Sequence, residues 1–330
     1  MSDYWDRLLA DFPGTAFLEE CACPGCGGTR SRVIRPLGPS FLKRCAACGL
    51  VYGSPRLSAP AREALYRRNP AVLGPDLDAM LRRLMESRFA DLRREMFPGP
   101  RDGGALFEIG CGWGHFLDVA RPHFASVAGA ELSREQAAHA RERFGLDVGE
   151  ADIPDRAPAP AYDMVAAFEL IEHVPDPDRV LAWAHAALKP GGQLVLSTPN
   201  YGSLYRFLLG PRWFYFIPSQ HLSYFTPGTL KALLRRSGFD EARVFTSGRS
   251  LLRERGNAHN RSAPGLSARE AWLENLRIRE AVEAARDRVA LDRSTLAKRL
   301  GHGLAWRLLR PLVTRGYGDQ MRVYARKSAA

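Results

Sequence analysis

Leu106-Phe-Glu-Ile-Gly-Cys-Gly-Trp-Gly-His-Phe-Leu117 sets an apolar run, with one acid inside it, against three glycines at alternate positions. A stretch of this kind turns a buried strand sharply into a helix and clears side chains from the backbone at the turn. Gly110, Gly112 and Gly114 remove the Cβ atoms that would keep a nucleotide off the loop. Cys111 reads as a small residue of that loop rather than a nucleophile. Glycine-rich turns occur in many α/β proteins, so the meaning of this one depends on the chain beyond it.

From residue 105 onward strands and helices alternate, which implies an α/β fold with a mostly parallel sheet and crossover helices. The pattern predicts strands over 105–110, 126–130, 147–151, 163–168 and 193–198. Helices are predicted from about Gly114, over Arg134 to Phe144 and over Pro177 to Leu188. A sixth strand is expected over Ala242 to Ser247 and a last one near the C-terminus. Acids stand at successive strand ends: Glu131 after the second, Asp152 after the third and Glu169 after the fourth, where Phe168 closes the strand. Ligands of open α/β sheets bind outside the carboxyl ends of the strands. Glu131, 21 residues beyond Gly110, is placed to accept two ribose hydroxyls, Asp152 to accept an adenine amino group, and Glu108 to offset a cationic ligand. Each acid could equally be a capping or solvated residue.

Upstream, Leu77, Leu81, Leu84, Met85, Phe89, Leu92 and Met96 recur at helical spacing, as packing or as part of a lid. Further upstream, Cys23-Pro-Gly-Cys26 and Cys45-Ala-Ala-Cys48 are two knuckles separated by 18 residues, each followed by a glycine, Gly27 and Gly49. Four thiolates at Cys23, Cys26, Cys45 and Cys48 suit structural tetrahedral zinc, and a segment this short would draw much of its stability from the metal. Disulfides or redox thiols are the alternative. Cys21 reads as a bystander.

The chain has 330 residues, 45% of them hydrophobic and 25% charged, as in soluble globular proteins. Acids near Met1 argue against a signal peptide, and no apolar run reaches about 18 residues, so a cytoplasmic protein is expected. Only five of the 47 basic residues are lysine, and Arg249 to Arg315 holds 15 basic against 7 acidic residues within a net charge of +11. This insertion, 250–317, reads as helical. Trp306, Leu308, Leu309, Leu312 and Val313 interleave with arginines there, which suits either peripheral contact with an anionic membrane or a helix packed on the core with its arginines outward.

Taken together, Glu108-Ile-Gly-Cys-Gly-Trp-Gly114, Glu131, Asp152, Glu169-Leu-Ile-Glu-His-Val174 and Leu188-Lys-Pro-Gly-Gly192 resemble the class I S-adenosylmethionine-dependent methyltransferases. The likeness runs over roughly 100–245, with 318–327 as a final strand. A dinucleotide-binding domain would show G-x-G-x-x-G, and the spacing here is G-x-G-x-G. His221-Leu-Ser-Tyr-Phe-Thr226 and Ser237-Gly-Phe239 are similar to the subgroup that holds ubiquinone-type O-methyltransferases. The resemblance implies a Rossmann-like sheet with flanking helices, added to a small N-terminal ribbon and a C-terminal helical insertion. The expected parts are 1–55 for an N-terminal helix and ribbon, 56–100 for a helical linker or lid, and 101–330 for the methyltransferase domain. It further implies S-adenosyl-L-methionine as cofactor, held by Glu108, Gly110, Cys111, Gly112, Gly114, Glu131, Asp152 and Phe168.

Methyl transfer from a sulfonium needs alignment and exclusion of water, and a hydroxyl acceptor must also lose its proton. His173, His221 and Glu172 are the candidates nearest that chemistry. If Glu169 to His173 makes a helical turn, then Glu169, Glu172 and His173, with His221, could hold a divalent cation that polarises the acceptor. Metal-free base catalysis and a loop-shaping role remain open beside it. Tyr201, Tyr205, Trp213, Phe214, Tyr215 and Phe216 either grip the acceptor or pack the segment against a sheet. The expected acceptor is a small molecule: a sugar, a quinone or a lipid-linked precursor, methylated on oxygen or else on carbon or nitrogen. Methylation of RNA, suggested by the basic insertion and the ribbon, and non-catalytic sensing of the cofactor are the alternatives.

Overall fold

The computed structural model describes residues 17–68, 73–96, 103–151, 153, 159–210, 213, 215–217, 219–247 and 316–329. They form two compact units. One comprises Met1–Val72, Pro199–Pro227 and Phe245–Met321; the other comprises Leu73–Thr198, Gly228–Val244 and Arg322–Ala330. Asp152, Phe214, most of the N-terminal helix region and the basic insertion lie outside the described residues.

In the first unit the cysteine knuckles organise a small sheet. Strands β1 (Leu18–Glu19), β2 (Ser31–Leu37), β3 (Ser40–Cys45), β4 (Val51–Ser54) and β5 (Arg56–Leu57) precede helix α1 (Ala59–Arg68). β1 and β5 pair antiparallel. β2 and β3 form a hairpin turned at Gly38, whose φ of 69° lies in the region glycine enters without penalty. β3 pairs with β4, and the fourth strand comes from far along the chain: Ser223–Tyr224 (β11 in chain order) pairs with β4, setting Ser223 opposite Tyr52 and Tyr224 opposite Val51. One face of this sheet is sealed by a buried cluster of Leu37, Leu42, Val51, Tyr201, Trp213 and Tyr224, with Tyr205, Leu209, Tyr215 and Phe216 against it. The aromatic segment after the fifth core strand is therefore packing material for the ribbon sheet. Phe207 and Leu208, on helix α6 (Leu204–Leu209), remain exposed.

The second unit begins with α2 (Pro75–Glu95), started by a proline in its first turn. Its sheet holds β6 (Ala105–Ile109), β7 (Ser126–Glu131), β8 (Asp147–Glu150), β9 (Tyr162–Phe168), β10 (Leu188–Pro199), β12 (Phe239–Ser247) and β13 (Gln320–Lys327), in the order β12-β13-β10-β9-β6-β7-β8. β8, β7, β6, β9 and β10 are parallel to their neighbours in that order. The central strands are apolar without alternation because helices cover both faces. Helix α3 (His115–Ala120) follows the glycine loop. Helix α4 spans Arg134–Phe144 as its signals predict: the Ser133 hydroxyl accepts from the Gln136 N–H, and Gly145 ends it at φ 63°. Helix α5 (Pro177–Ala187) is capped by Asp176, whose side chain accepts from the Arg179 N–H, and α7 covers Pro227–Arg236.

Two local expectations are corrected. Lys189-Pro-Gly-Gly192 does not separate helix from strand; it lies within β10 as a break in register, the ladder with β9 resuming at Gln193 opposite Met164. Glu169 to His173 is not a helical turn. β9 stops at Phe168, Glu169 takes a left-handed φ of 49°, and a tight turn comes next, in which the His173 N–H bonds the Leu170 carbonyl at 2.8 Å.

Candidate active site

The strand order reverses between β6 and β9, so the loops after these two strands flank the crevice where such sheets bind ligands. The β6 loop is held by its neighbours. The Gly110 and Cys111 N–H groups both bond the Ala130 carbonyl, at 2.8 and 3.1 Å, and Gly114 N–H bonds the Cys111 carbonyl. All three glycines have positive φ, 70°, 55° and 85° in order, but they serve different ends. A Cβ on Gly112 would meet only Gln136 Oε1 at 3.5 Å, which leaves an open cradle. A Cβ on Gly114 would strike Ala140 and Leu146 at 2.8 Å, so this glycine lets α4 close on the loop. Cys111 is buried, and burial first, with Glu108 and Glu131 beside it, drives its thiol far above the ordinary range. A neutral, buried thiol of this kind suits a small loop residue rather than a nucleophile.

Glu131 closes the cradle. Its Oε2 accepts the Gly112 N–H at 2.8 Å and its Oε1 accepts the Ser133 N–H at 2.8 Å, which fixes the carboxylate at the rim of the glycine loop. Glu108, one strand inward, is 3% exposed, and among the described residues its Oε2 has no hydrogen-bond partner. Burial pushes this carboxyl up to about 8, against the pull of Arg88 and with the repulsion of Glu131. A buried oxygen without a donor, on the strand that runs into the open glycine loop, is what a ligand carrying positive charge would satisfy. The cradle and the acid thus fit a nucleoside with a cationic group.

After β9, Phe168 meets Phe116 edge-on at 4.6 Å and lies under the Arg88 guanidinium at 4.5 Å. The two glutamates of the turn diverge. Glu169 Oε1 accepts the Ser197 hydroxyl at 2.6 Å and stands 3.6 Å from Arg88, whereas Glu172 Oε2 accepts the Thr198 hydroxyl at 2.9 Å. Glu172 is buried, and burial followed by the charge of Glu169 raises its carboxyl well above the carboxylate range. Its other oxygen, without a hydrogen bond among the described residues, lies 3.9 Å from His173 Nε2. Glu172 and His173 are therefore neighbours, and Glu169 is turned toward Ser197.

Arg88 is the residue that sequence reading missed. It sits on α2 with only 11% of its side chain exposed, beside Phe168 and Glu169, and its charge acts on Glu108 and Glu172. The signal for it is indirect: three acids buried or half-buried at adjoining strand ends require a cation. α2 is pinned to the same neighbourhood by Asp78, 2.9 Å from His115 Nε2, and by Arg82, 2.9 Å from Asp118.

In the first unit, His221 is buried. Its Nδ1 lies 2.9 Å from the Tyr215 carbonyl, which requires a proton on Nδ1. The four knuckle thiols, all unbonded as disulfides, converge: Cys23 and Cys48 sulfurs are 3.5 Å apart, as are those of Cys26 and Cys45. Tetrahedral zinc with about 2.3 Å bonds calls for sulfurs about 3.8 Å apart, so this donor set fits the metal. Burial would raise Cys45, but the Cys48 and Ala47 N–H groups more than offset it and bring this thiol down to about 7. Gly27 and Gly49, at φ 69° and 75°, make the two knuckle turns. Cys21 faces the Gly53 carbonyl and stands outside the four. Among the described residues, no helix is long and apolar enough to cross a membrane.

A family model described as a methyltransferase domain matches residues 81–242. The ubiquinone biosynthesis O-methyltransferase of Leptothrix cholodnii is 32% identical over 115 residues, covering 32% of this chain and 48% of that protein. Its namesake in Pseudomonas paraeruginosa is 34% identical over 105 residues, covering 30% and 45%. The chain spans about half the length of the curated relatives it matches. Among solved structures, an S-adenosylmethionine dependent methyltransferase from Mesorhizobium loti is 21% identical at a TM-score of 0.43, covering 72% of this chain and 96% of that one.

Proposed function

Given a chain whose residues 81–242 make it a member of the class I S-adenosylmethionine-dependent methyltransferases, we propose that it methylates an oxygen of a small-molecule acceptor in the cytoplasm. The observation that carries the reading is the Glu131–Gly112 rim beside the orphan oxygen of Glu108. Bound there, the cofactor would supply a methyl group activated on a sulfonium. Gly110 and Gly112 give it bare backbone, Glu131 is assigned to the ribose hydroxyls, Asp152 to the adenine, and Phe168 to the wall of the same cleft. Glu108 responds to the donor's positive charge, and Arg88 keeps the acids of this region from repelling one another. O-methylation is favoured by the names of the curated relatives, each an O-methyltransferase.

His173 and His221 are assigned to the acceptor's proton, with Glu172 supporting His173 from 3.9 Å. The alternative is a divalent cation that lowers the acceptor's pKa, its expected ligands being Glu169, Glu172, His173 and His221, of which Glu169 is turned toward Ser197. The ribbon is assigned one structural zinc at Cys23, Cys26, Cys45 and Cys48.

The test is to incubate zinc-loaded protein with methyl-labelled cofactor and fractionated cell extract, with and without a mild chelator that spares the ribbon. Labelled O-methyl product is expected, and the chelator arm separates base from metal catalysis. Failure of the protein to take up the cofactor or its demethylated product in calorimetry would overturn the reading.

A further inference from the structure

We propose that the four-thiol ribbon is the positioning element for His221, so that zinc occupancy sets the orientation of that imidazole. This rests on the proposed function in one respect, that His221 serves the reaction. β3 ends on Cys45, and Cys48 stands three residues before β4 opens at Val51. A metal bound there staples the turn between these two strands. β4 in turn carries β11: Ser223 and Tyr224 pair with Tyr52 and Val51, and the Gly53 N–H bonds the Leu222 carbonyl at 3.1 Å. Thus His221 is one residue from a backbone bond to the stapled strand.

The imidazole is gripped by the same assembly. Its ring stacks against Tyr215, with centroids 6.1 Å apart and planes 25° apart, and meets Tyr224 edge-on at 6.4 Å. Tyr224 is a strand residue of the ribbon sheet, and Tyr215 packs on the cluster of Leu37, Leu42, Val51 and Trp213. Tyr215, whose carbonyl takes the Nδ1–H, stands in sequence between Trp213 and Phe216, whose rings are 5.2 Å apart. The sheet is small, and a core of this size draws on its metal for stability. Removing the metal should therefore free β4, then β11, then the ring. The bonds that hold the glycine loop, from Gly110, Cys111 and Gly112 to Ala130 and Glu131, involve none of these residues.

The experiment uses the full-length chain, stripped with a zinc chelator and reloaded with zinc alone. Hydrogen exchange is followed at residues 51–54, 222–225 and 110–112, and the histidine ring nitrogens are followed by NMR. Expected on stripping is acceleration of at least tenfold at 51–54 and 222–225 together, no change at 110–112, and loss of the His221 Nδ1–H signature, all restored by zinc. Protection retained at 222–225, or an unchanged His221 signature, while 51–54 opens would overturn the proposal, as would a chain that takes up no zinc. Should stripping aggregate the protein, Cys48→Ser leaves three thiols and a weaker site that is titrated with zinc instead. The His221 signature and the protection at 222–225 should rise together with zinc occupancy. A His221 signature indifferent to occupancy would equally overturn it. A fully active His221→Asn variant with the exchange coupling intact would sink the functional assignment and leave the coupling standing.

Discussion

The glycine loop and the ribbon sheet gather polar backbone around an open cradle in one case and four converging thiols in the other, but they are assembled over different distances in sequence. In the loop, the bonds from Gly110 and Cys111 to Ala130, from Gly112 to Glu131 and from Ser133 to Glu131 all join residues within about two dozen positions. In the ribbon sheet, Tyr52 pairs with Ser223 and Leu42 packs with Trp213. Local architecture can be written in a motif. Long-range architecture is written in packing, which no short stretch records.

The sharpest way to test that contrast is to cut the long-range half alone. Trp213→Ala should cost about 3–5 kcal/mol of unfolding stability in the unit that holds the ribbon, while calorimetry finds cofactor affinity unchanged within a factor of about two. A parallel collapse of affinity would mean the two regions are not separable.

Within the loop, two glycines divide packing from binding. Gly114→Ala forces a Cβ into Ala140 and Leu146 from a φ of 85° and should cost about 2–4 kcal/mol in chemical denaturation. Gly112→Ala faces open space and should cost about 1–2 kcal/mol in stability, its main effect being weaker cofactor binding. Equal stability losses would erase the distinction. Next in size, Glu131→Ala removes a carboxylate held by two N–H groups. It should weaken cofactor binding by about 10–100-fold, or roughly 1.5–3 kcal/mol, with the zinc content unaltered.

The last effect is carried by a proton. Glu108 is raised in the folded chain from 4.5 to about 8, so its contribution to stability is complete below about 4.5, declines as pH rises, and is gone above about 8. Binding of a sulfonium should ionise it and release up to one proton near pH 7. Titrations in buffers of different ionisation enthalpy would read this release. Glu108→Gln should abolish it, a difference below about 1.4 kcal/mol per pH unit.

What the sequence disclosed obeys the same division. α4 could be bounded at Arg134 and Phe144 because Ser133 and Gly145 are chemical punctuation. The core strands, the place of Glu131 at a strand end and the convergence of the four knuckle cysteines were legible for the same reason, each being set by neighbours in the chain. Glu169 was read as helical because acid–apolar spacing cannot reveal that Ser197, 28 residues on, draws its carboxylate away at φ 49°. Arg88 was invisible among the many arginines of this chain, since only the fold brings it over Phe168. Spacing left Tyr201, Trp213 and Tyr215 open between gripping the acceptor and packing on a sheet; their partners are Leu37, Leu42 and Val51, which stand about 150 to 180 residues earlier.

The pairing of Tyr52 with Ser223 also bears on how the chain is made. At roughly 5–20 residues per second on a ribosome, β11 emerges about ten to thirty seconds after the strand it must join. Through that interval β4 presents a bare edge, open to mispairing with any passing strand. Early capture of a metal by thiols already outside the tunnel would keep the nascent hairpin in register until its missing neighbour arrives.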